Sequence, residues 1–82
     1  MAELVKLVGS EIALTTANTI GSASAVRILN NSGGSALVTR ANTGGTIGTV
    51  TLASNEVVYL HKVPADTLAS NVAVRAVAVA FN

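Results

Sequence analysis

The sequence has no cysteine and no tryptophan, and aromatic residues make up only 2% of its 82 positions. The absence of cysteine excludes disulfide bonds, thiolate nucleophiles and cysteine-ligated zinc. Charged residues are also scarce, at 11%, and five basic against four acidic residues give a formal net charge of +1. Because neither sign is in excess, we expect no nucleic-acid partner and no attraction to an anionic membrane.

Long hydrophobic runs are absent as well. The longest one, Val72 to Phe81, is interrupted by Arg75, and it is far shorter than the roughly 20 residues that a membrane-spanning helix needs. Ile12 to Leu14 and the later Ala23-Ser24-Ala25 superficially resemble a secretory signal, but Glu11 interrupts the apolar region. We therefore expect a soluble chain that is not exported by such a signal.

Short strand patterns separated by Gly, Asn, Ser and Thr fill most of the remaining sequence. This spacing is typical of an all-β protein, and it predicts a small antiparallel β-sandwich or barrel of about six to seven short strands with an extended N-terminal arm. Residues 1–24 are predicted to form the arm or edge strands, and residues 25–82 the β-sandwich or barrel domain.

Three local predictions follow from the residue types. Ala25 to Asn30 and Ala36 to Ala41 flank a Gly-rich turn and are predicted to form a hairpin. Asp66 to Ser70 is predicted to form one helical or 3₁₀ turn with Asp66 near its start. The residues expected to share one core are Val26, Ile28, Val50, Leu52, Val58, Leu60 and Val74.

The last strand, Val72 to Phe81, is apolar on both faces apart from Arg75. Val57 and Tyr59 likewise alternate with the apolar Val58 and Leu60. A second apolar face has to be covered, and another subunit is the simplest cover. Adding the apolar positions of the N-terminal segment, the predicted partner interface consists of Leu4, Leu7, Ile12, Leu14, Val77, Val79 and Phe81.

The inventory of reactive residues argues against an enzyme. His61 is the single histidine, and a triad of His61 with Asp66 and Ser54 or Ser70 lacks the G-x-S-x-G elbow. No metal-ligand spacing occurs, and the paired glycines match hairpin turns rather than phosphate loops. We predict no catalytic, cofactor-binding or metal-binding residues and no cofactor. The sequon Asn30-Asn31-Ser32 lies in a predicted exposed turn and is interpreted as accidental.

Two linked patterns span the C-terminal two-thirds of the chain. A segment of the form V-x-x-x-N-x-(S/G)…V-T precedes T-L-x-x-x-E-x-V-x-L-x-K-x-P-A-D-T-L and a closing Ala/Val strand. The matching residues are Asn30, Ser32, Val38, Thr39, Thr51, Leu52, Glu56, Val58, Leu60, Lys62, Pro64, Ala65, Asp66, Thr67 and Leu68. This arrangement resembles small virion proteins of tailed bacteriophages, particularly marine ones.

The resemblance implies a non-enzymatic structural role in the virion, above all a capsid decoration or cement protein that binds and stabilises the shell of the major capsid protein. It implies virion partners, a homo-oligomer, synthesis in the host cytoplasm and final location on the capsid or tail surface. The alternatives are a small neck, tail or fibre subunit, or a carbohydrate-binding β module. The last alternative expects Tyr59 to lie in an open depression.

Overall fold

The computed structural model describes residues 5–81, with Phe81 described by its backbone. These residues form no helix. They form eight short strands in two antiparallel sheets, which confirms the predicted small all-β fold of the sandwich or barrel type, with more strands than the six to seven expected. The strands are β1 (Val5–Leu7), β2 (Ile12–Leu14), β3 (Ala25–Leu29), β4 (Ala36–Asn42), β5 (Gly45–Leu52), β6 (Val57–His61), β7 (Thr67–Ser70) and β8 (Val74–Phe81).

Sheet I is organised around β8, the apolar C-terminal strand. One edge of β8 pairs with β2 along its first half and with β1 along its second half, while its other edge pairs with β3. β6 then pairs with β3 and ends the sheet. The N-terminal segment therefore supplies two short strands along one edge of sheet I, and the other edge is β6. Edge strands were one of the two forms predicted for this segment, and within residues 5–24 it does not extend away from the domain as an arm.

Sheet II consists of β5, β4 and β7 in that order. β4 and β5 form the hairpin of this sheet, with Asn42 opposite Gly45 at its turn. The φ angle of Gly45 is 118°, a conformation that an L side chain rarely adopts. The free side of β7 is covered by a bridge in which Asn18 and Leu68 exchange two backbone hydrogen bonds.

The core lies between the two sheets and is built from alternate residues of their strands. The residues of this cluster are Leu14, Ile20, Val26, Ile28, Ala36, Val38, Leu52, Leu68, Val74, Ala76 and Ala78, and Val58 and Leu60 pack against it partly buried. The prediction that Val50 belongs to the core was wrong, because β5 is an edge strand and leaves Val50 38% exposed.

Two other local predictions were wrong for a common reason. Ala25–Leu29 and Ala36–Asn42 do not pair with each other, because the turn between them carries the chain from sheet I to sheet II. Thr67–Ser70 is a strand rather than a helical turn, because its backbone pairs with β4. In both cases long-range strand pairing overrides the preference that the local sequence indicates.

Asn30 joins the loops at one end of the sandwich. Its side chain is fully buried, and its amide nitrogen lies 2.7 Å from the Gly34 carbonyl oxygen and 3.0 Å from those of Leu52 and Ala53. The side-chain oxygen accepts hydrogen bonds from the backbone amide and hydroxyl of Ser32. Asn30 thus connects the end of β3 in sheet I to both loops that border sheet II.

The buried amide of Asn30 should be essential for stability. In Asn30→Asp a carboxylate would face three carbonyl oxygens that the amide now satisfies, and we expect a loss of about 3 kcal/mol in the free energy of unfolding. The matched control is Asn31→Asp, at an exposed neighbour, for which a change within about 0.5 kcal/mol is expected. Urea unfolding followed by circular dichroism measures both. Equal stability of the two variants would refute the assigned role of Asn30.

Candidate partner-binding face

The side of sheet I that points away from the core carries most of the exposed apolar surface of that sheet. Strand register places Arg27 of β3 between Val77 of β8 and Tyr59 of β6, all on this outer side. In the same way Leu29 lies between Arg75 and Val57, and Leu7 lies opposite Val79. We call this surface the outer face; its residues are Val5, Leu7, Arg27, Leu29, Val57, Tyr59, Arg75, Val77 and Val79.

Exposure on the outer face is graded from its centre to its sides. Val77 and Val79 are only 5% and 4% exposed, although they point away from the core. Leu7, Tyr59 and Val57 around them are 75%, 47% and 40% exposed. A buried apolar centre surrounded by exposed side chains, with Tyr and Arg adjacent to it, has the composition that protein-binding surfaces favour.

A shallow depression of about 560 Å³ lies within the outer face. Val5, Leu7, Arg27, Tyr59 and Val77 line it together with Gly9 and Glu11. Glu11 also accepts a hydrogen bond at 3.1 Å from Nε of Arg75. Since both side chains of this ion pair are about 40% exposed, it contributes of order 0–1 kcal/mol. Because Tyr59 is one of the residues that line this depression, its side chain borders an open concave surface.

The predicted interface residues differ in how exposed they are in the structure. Leu7 is the most exposed of the large hydrophobic residues described, and Ile12 is partly buried against the core. Leu14 needs a correction: it is 1% exposed and fills the core of its own chain, because β2 docks on β8. Val77 and Val79 form the floor of the outer face rather than its accessible surface. Leu4 and the side chain of Phe81 lie outside the described part.

Arg27 and Leu29 were missed by the sequence interpretation, and Val57 and Tyr59 were recognised only as a second apolar side of their strand. The available signal was the alternation of Arg27 and Leu29 with the core residues Val26 and Ile28. That alternation indicates which residues leave the core. It does not reveal that β3 lies between β8 and β6, which is what brings these side chains together.

The residues considered for a catalytic triad are not brought together in this way. Nε of Arg40 lies 2.8 Å from the Asp66 carboxylate, and no hydrogen bond joins His61 to Asp66 within residues 5–81. Ser70 is buried and its hydroxyl accepts from the backbone amide of Val72, while Ser54 is exposed in the turn before Glu56. Nor does this part of the chain hold a group of three or more His, Asp or Glu side chains arranged to bind a metal ion.

The sequon asparagine is inaccessible in the folded chain. Asn30, rather than Asn31, is the residue that a glycan would modify, and its amide nitrogen is the buried donor that binds the loop carbonyls. The prediction that this turn exposes the sequon holds for Asn31 and Ser32 but not for Asn30. Glycosylation there is incompatible with this fold.

Lys62, another residue of the sequence pattern, is fully buried next to an ion pair. Its ammonium donates to the Pro64 carbonyl at 3.1 Å, and Asp66 nearby is paired with Arg40 at 2.6 Å. Burial lowers the pKa of Lys62 below its usual value of 10.5; the charge of Asp66 opposes this effect and that of Arg40 adds to it. The fold therefore retains a lysine whose charged form it disfavours.

No protein-family model, no curated protein and no solved structure matches this chain. In the part of the chain that the structure describes, no helix has the length and hydropathy needed to cross a membrane. The outer face and the sequence resemblance are therefore the grounds on which a function is proposed.

The lowered pKa of Lys62 predicts a specific pH dependence. Between the folded-state pKa and 10.5 the unfolded chain binds the proton that the folded chain has released, so stability should rise with pH across this interval. Lys62→Met should remove that rise and leave a protein at least as stable as wild type at pH 7. Lys6→Met, at an exposed lysine of β1, is the control and should keep it.

Urea unfolding at a series of pH values from 7 to 11 measures this effect. The curve for Lys62→Met should lie above that of wild type at pH 7 and converge with it as the pH approaches 10.5. Parallel curves for the two proteins, or strong destabilisation of Lys62→Met at pH 7, would show that burial does not disfavour the charge of Lys62.

Proposed function

We propose that the chain is a non-enzymatic structural protein of a tailed-bacteriophage virion, and specifically a capsid decoration protein that binds the major capsid protein through the outer face. The observation that carries this proposal is the outer face itself, where the nearly buried Val77 and Val79 are surrounded by exposed Leu7 and Tyr59. The resemblance of the sequence to phage virion proteins supplies the class of partner.

The chemistry of the outer face supports a protein partner. Tyr59 offers a large rigid ring, and Arg27 beside it offers a planar group that hydrogen-bonds and packs on apolar or aromatic surfaces. Leu7, 75% exposed, adds apolar area that folding of the single chain leaves in water. A cover over these residues would remove that area from water.

The small size of the domain is compatible with a role on a particle. The core contains three alanines among its eleven buried residues, so each of those positions buries little apolar area. Binding to a shell stabilises the folded form by mass action, because the partner binds only the folded chain. A decoration protein of 82 residues therefore needs no large core of its own.

Rebinding to particles tests the proposal. Particles of the encoding phage would be stripped of their small accessory proteins, mixed with the purified chain and sedimented. Wild type should bind in stoichiometric amounts, and Tyr59→Ala should bind about 10- to 30-fold more weakly because it removes the aromatic ring of the face.

Two controls accompany this measurement. Tyr59→Phe keeps the ring and should retain most of the binding. Leu37→Asp changes a residue that is 41% exposed on sheet II, away from the outer face, and should bind like wild type. Failure of wild type to sediment with particles would reject the virion role, and equal loss in Leu37→Asp would reject the outer face as its surface.

A second candidate function is carbohydrate binding, and the position of Tyr59 in the 560 Å³ depression favours it specifically. An exposed aromatic ring packs against the C–H groups of a sugar, and the carboxylate of Glu11 and the guanidinium of Arg27 are suited to its hydroxyls. A glycan array with the isolated chain distinguishes the two. Binding of a defined glycan that is lost in Tyr59→Ala, without rebinding to particles, would favour the carbohydrate-binding module.

A further inference from the structure

β5 presents an unpaired strand edge to solvent. It is the last strand of sheet II, and its backbone pairs with β4 alone. Within the described part of the chain, residues 45–51 form no hydrogen bond to any group outside that pairing. All residues of β5 before Leu52 are exposed. The unpaired N–H and C=O groups of such an edge are a template for another strand.

This edge lacks the charged residues and prolines that usually protect exposed strands. Lysine, proline and bulges are the common protective features, but the segment from Ala41 to Asn55 contains no charged residue and no proline. A register shift opposite Arg40 and Ala41 places a bulge at Ile47, near the hairpin turn. The remaining stretch, Gly48 to Leu52, pairs regularly with β4 and is free to pair on its other side.

Apolar side chains are uncovered next to the same edge. β6 ends sheet I on this side of the sandwich, and a cleft of about 230 Å³ separates it from β5. Ile47 and Val50, which are 46% and 38% exposed, line this cleft together with half-buried Leu60 and the buried core residues Val38 and Leu68. A strand added to β5 would therefore cover apolar surface as well as satisfy the backbone.

We infer that β5 pairs in antiparallel orientation with β5 of a second copy of this chain, about a twofold axis near Val50. Two three-stranded copies of sheet II would then form one continuous sheet. The absence of charge on β5 favours a second copy of this chain as the partner strand. In a strand that pairs with its own copy about a twofold axis, each residue near the axis lies close to the same residue of the other copy, so a charged residue there would be repelled by its counterpart. β5 meets this condition because it is neutral.

The other strand edges fit self-pairing less well. β1 carries Lys6 on an edge, and the free side of β7 is already covered by the bridge to Asn18. β6 begins directly after Glu56, an exposed charged residue. The inference does not rest on the virion role, because it concerns the isolated chain and is tested without particles.

Sedimentation equilibrium of the isolated chain tests the inference. Wild type should have twice the monomer mass of 8.2 kDa. Val50→Lys places a charge at the expected axis and should weaken association at least tenfold while the circular dichroism spectrum remains that of a folded β protein. The control Leu37→Lys changes a residue of similar exposure on the central strand of the same sheet and should remain dimeric.

Because the natural chain has no cysteine, single introduced cysteines report the register independently of Val50→Lys. An axis near Val50 places residue 49 of one copy opposite residue 51 of the other, so a mixture of Thr49→Cys and Thr51→Cys should form a disulfide-linked heterodimer. Thr46→Cys lies beyond the bulge and should not crosslink. A monomeric wild type, or crosslinking of all three positions equally, would overturn antiparallel self-pairing of β5.

Discussion

The fold depends on one buried amide, the side chain of Asn30. Two small sheets meet at a core of short aliphatic residues, and the loops that join them at one end leave carbonyl groups pointing inward. The Asn30 amide satisfies three of these carbonyls, while its backbone binds Glu56 and Asn55 of the turn between β5 and β6. Without this contact the carbonyls of Leu52 and Ala53 at the end of β5 would lose a buried hydrogen-bond donor.

Several polar residues of the phage-like sequence pattern make hydrogen bonds or ion pairs within this chain. Ser32 donates to the Asn30 side chain, and Glu56 accepts the Ala53 amide at 2.8 Å. Lys62 binds the Pro64 carbonyl, and Asp66 binds Arg40. These polar residues close loops and turns, so the pattern describes how such a domain folds. Arg27 and Tyr59, which we assign to partner binding, are not part of it, and neither is Val50 on the open edge.

The sequence predicted the local features of this structure better than its long-range strand pairing. Alternation predicted the all-β fold and most of the core, including Val26, Ile28, Leu52 and Val74. It placed Val77 and Val79 on a second face, but it did not predict that both would be nearly buried within one chain. Strand partners are set by contacts distant in sequence, which is also why the hairpin assigned to β3 and β4 and the core position of Val50 were wrong.

Amide hydrogen exchange can report on the β5 edge and on the outer face of sheet I in the same experiment. The neighbours proposed for this small sandwich bind at the β5 edge and at the outer face of sheet I. Exchange measured by mass spectrometry should show β5 protected in the dimer, and β6 and β1 protected further when the chain is bound to particles. Two results together would contradict this arrangement: rapid exchange of the β5 amides at the highest protein concentration measured, and unchanged exchange of β6 and β1 when the chain is bound to particles.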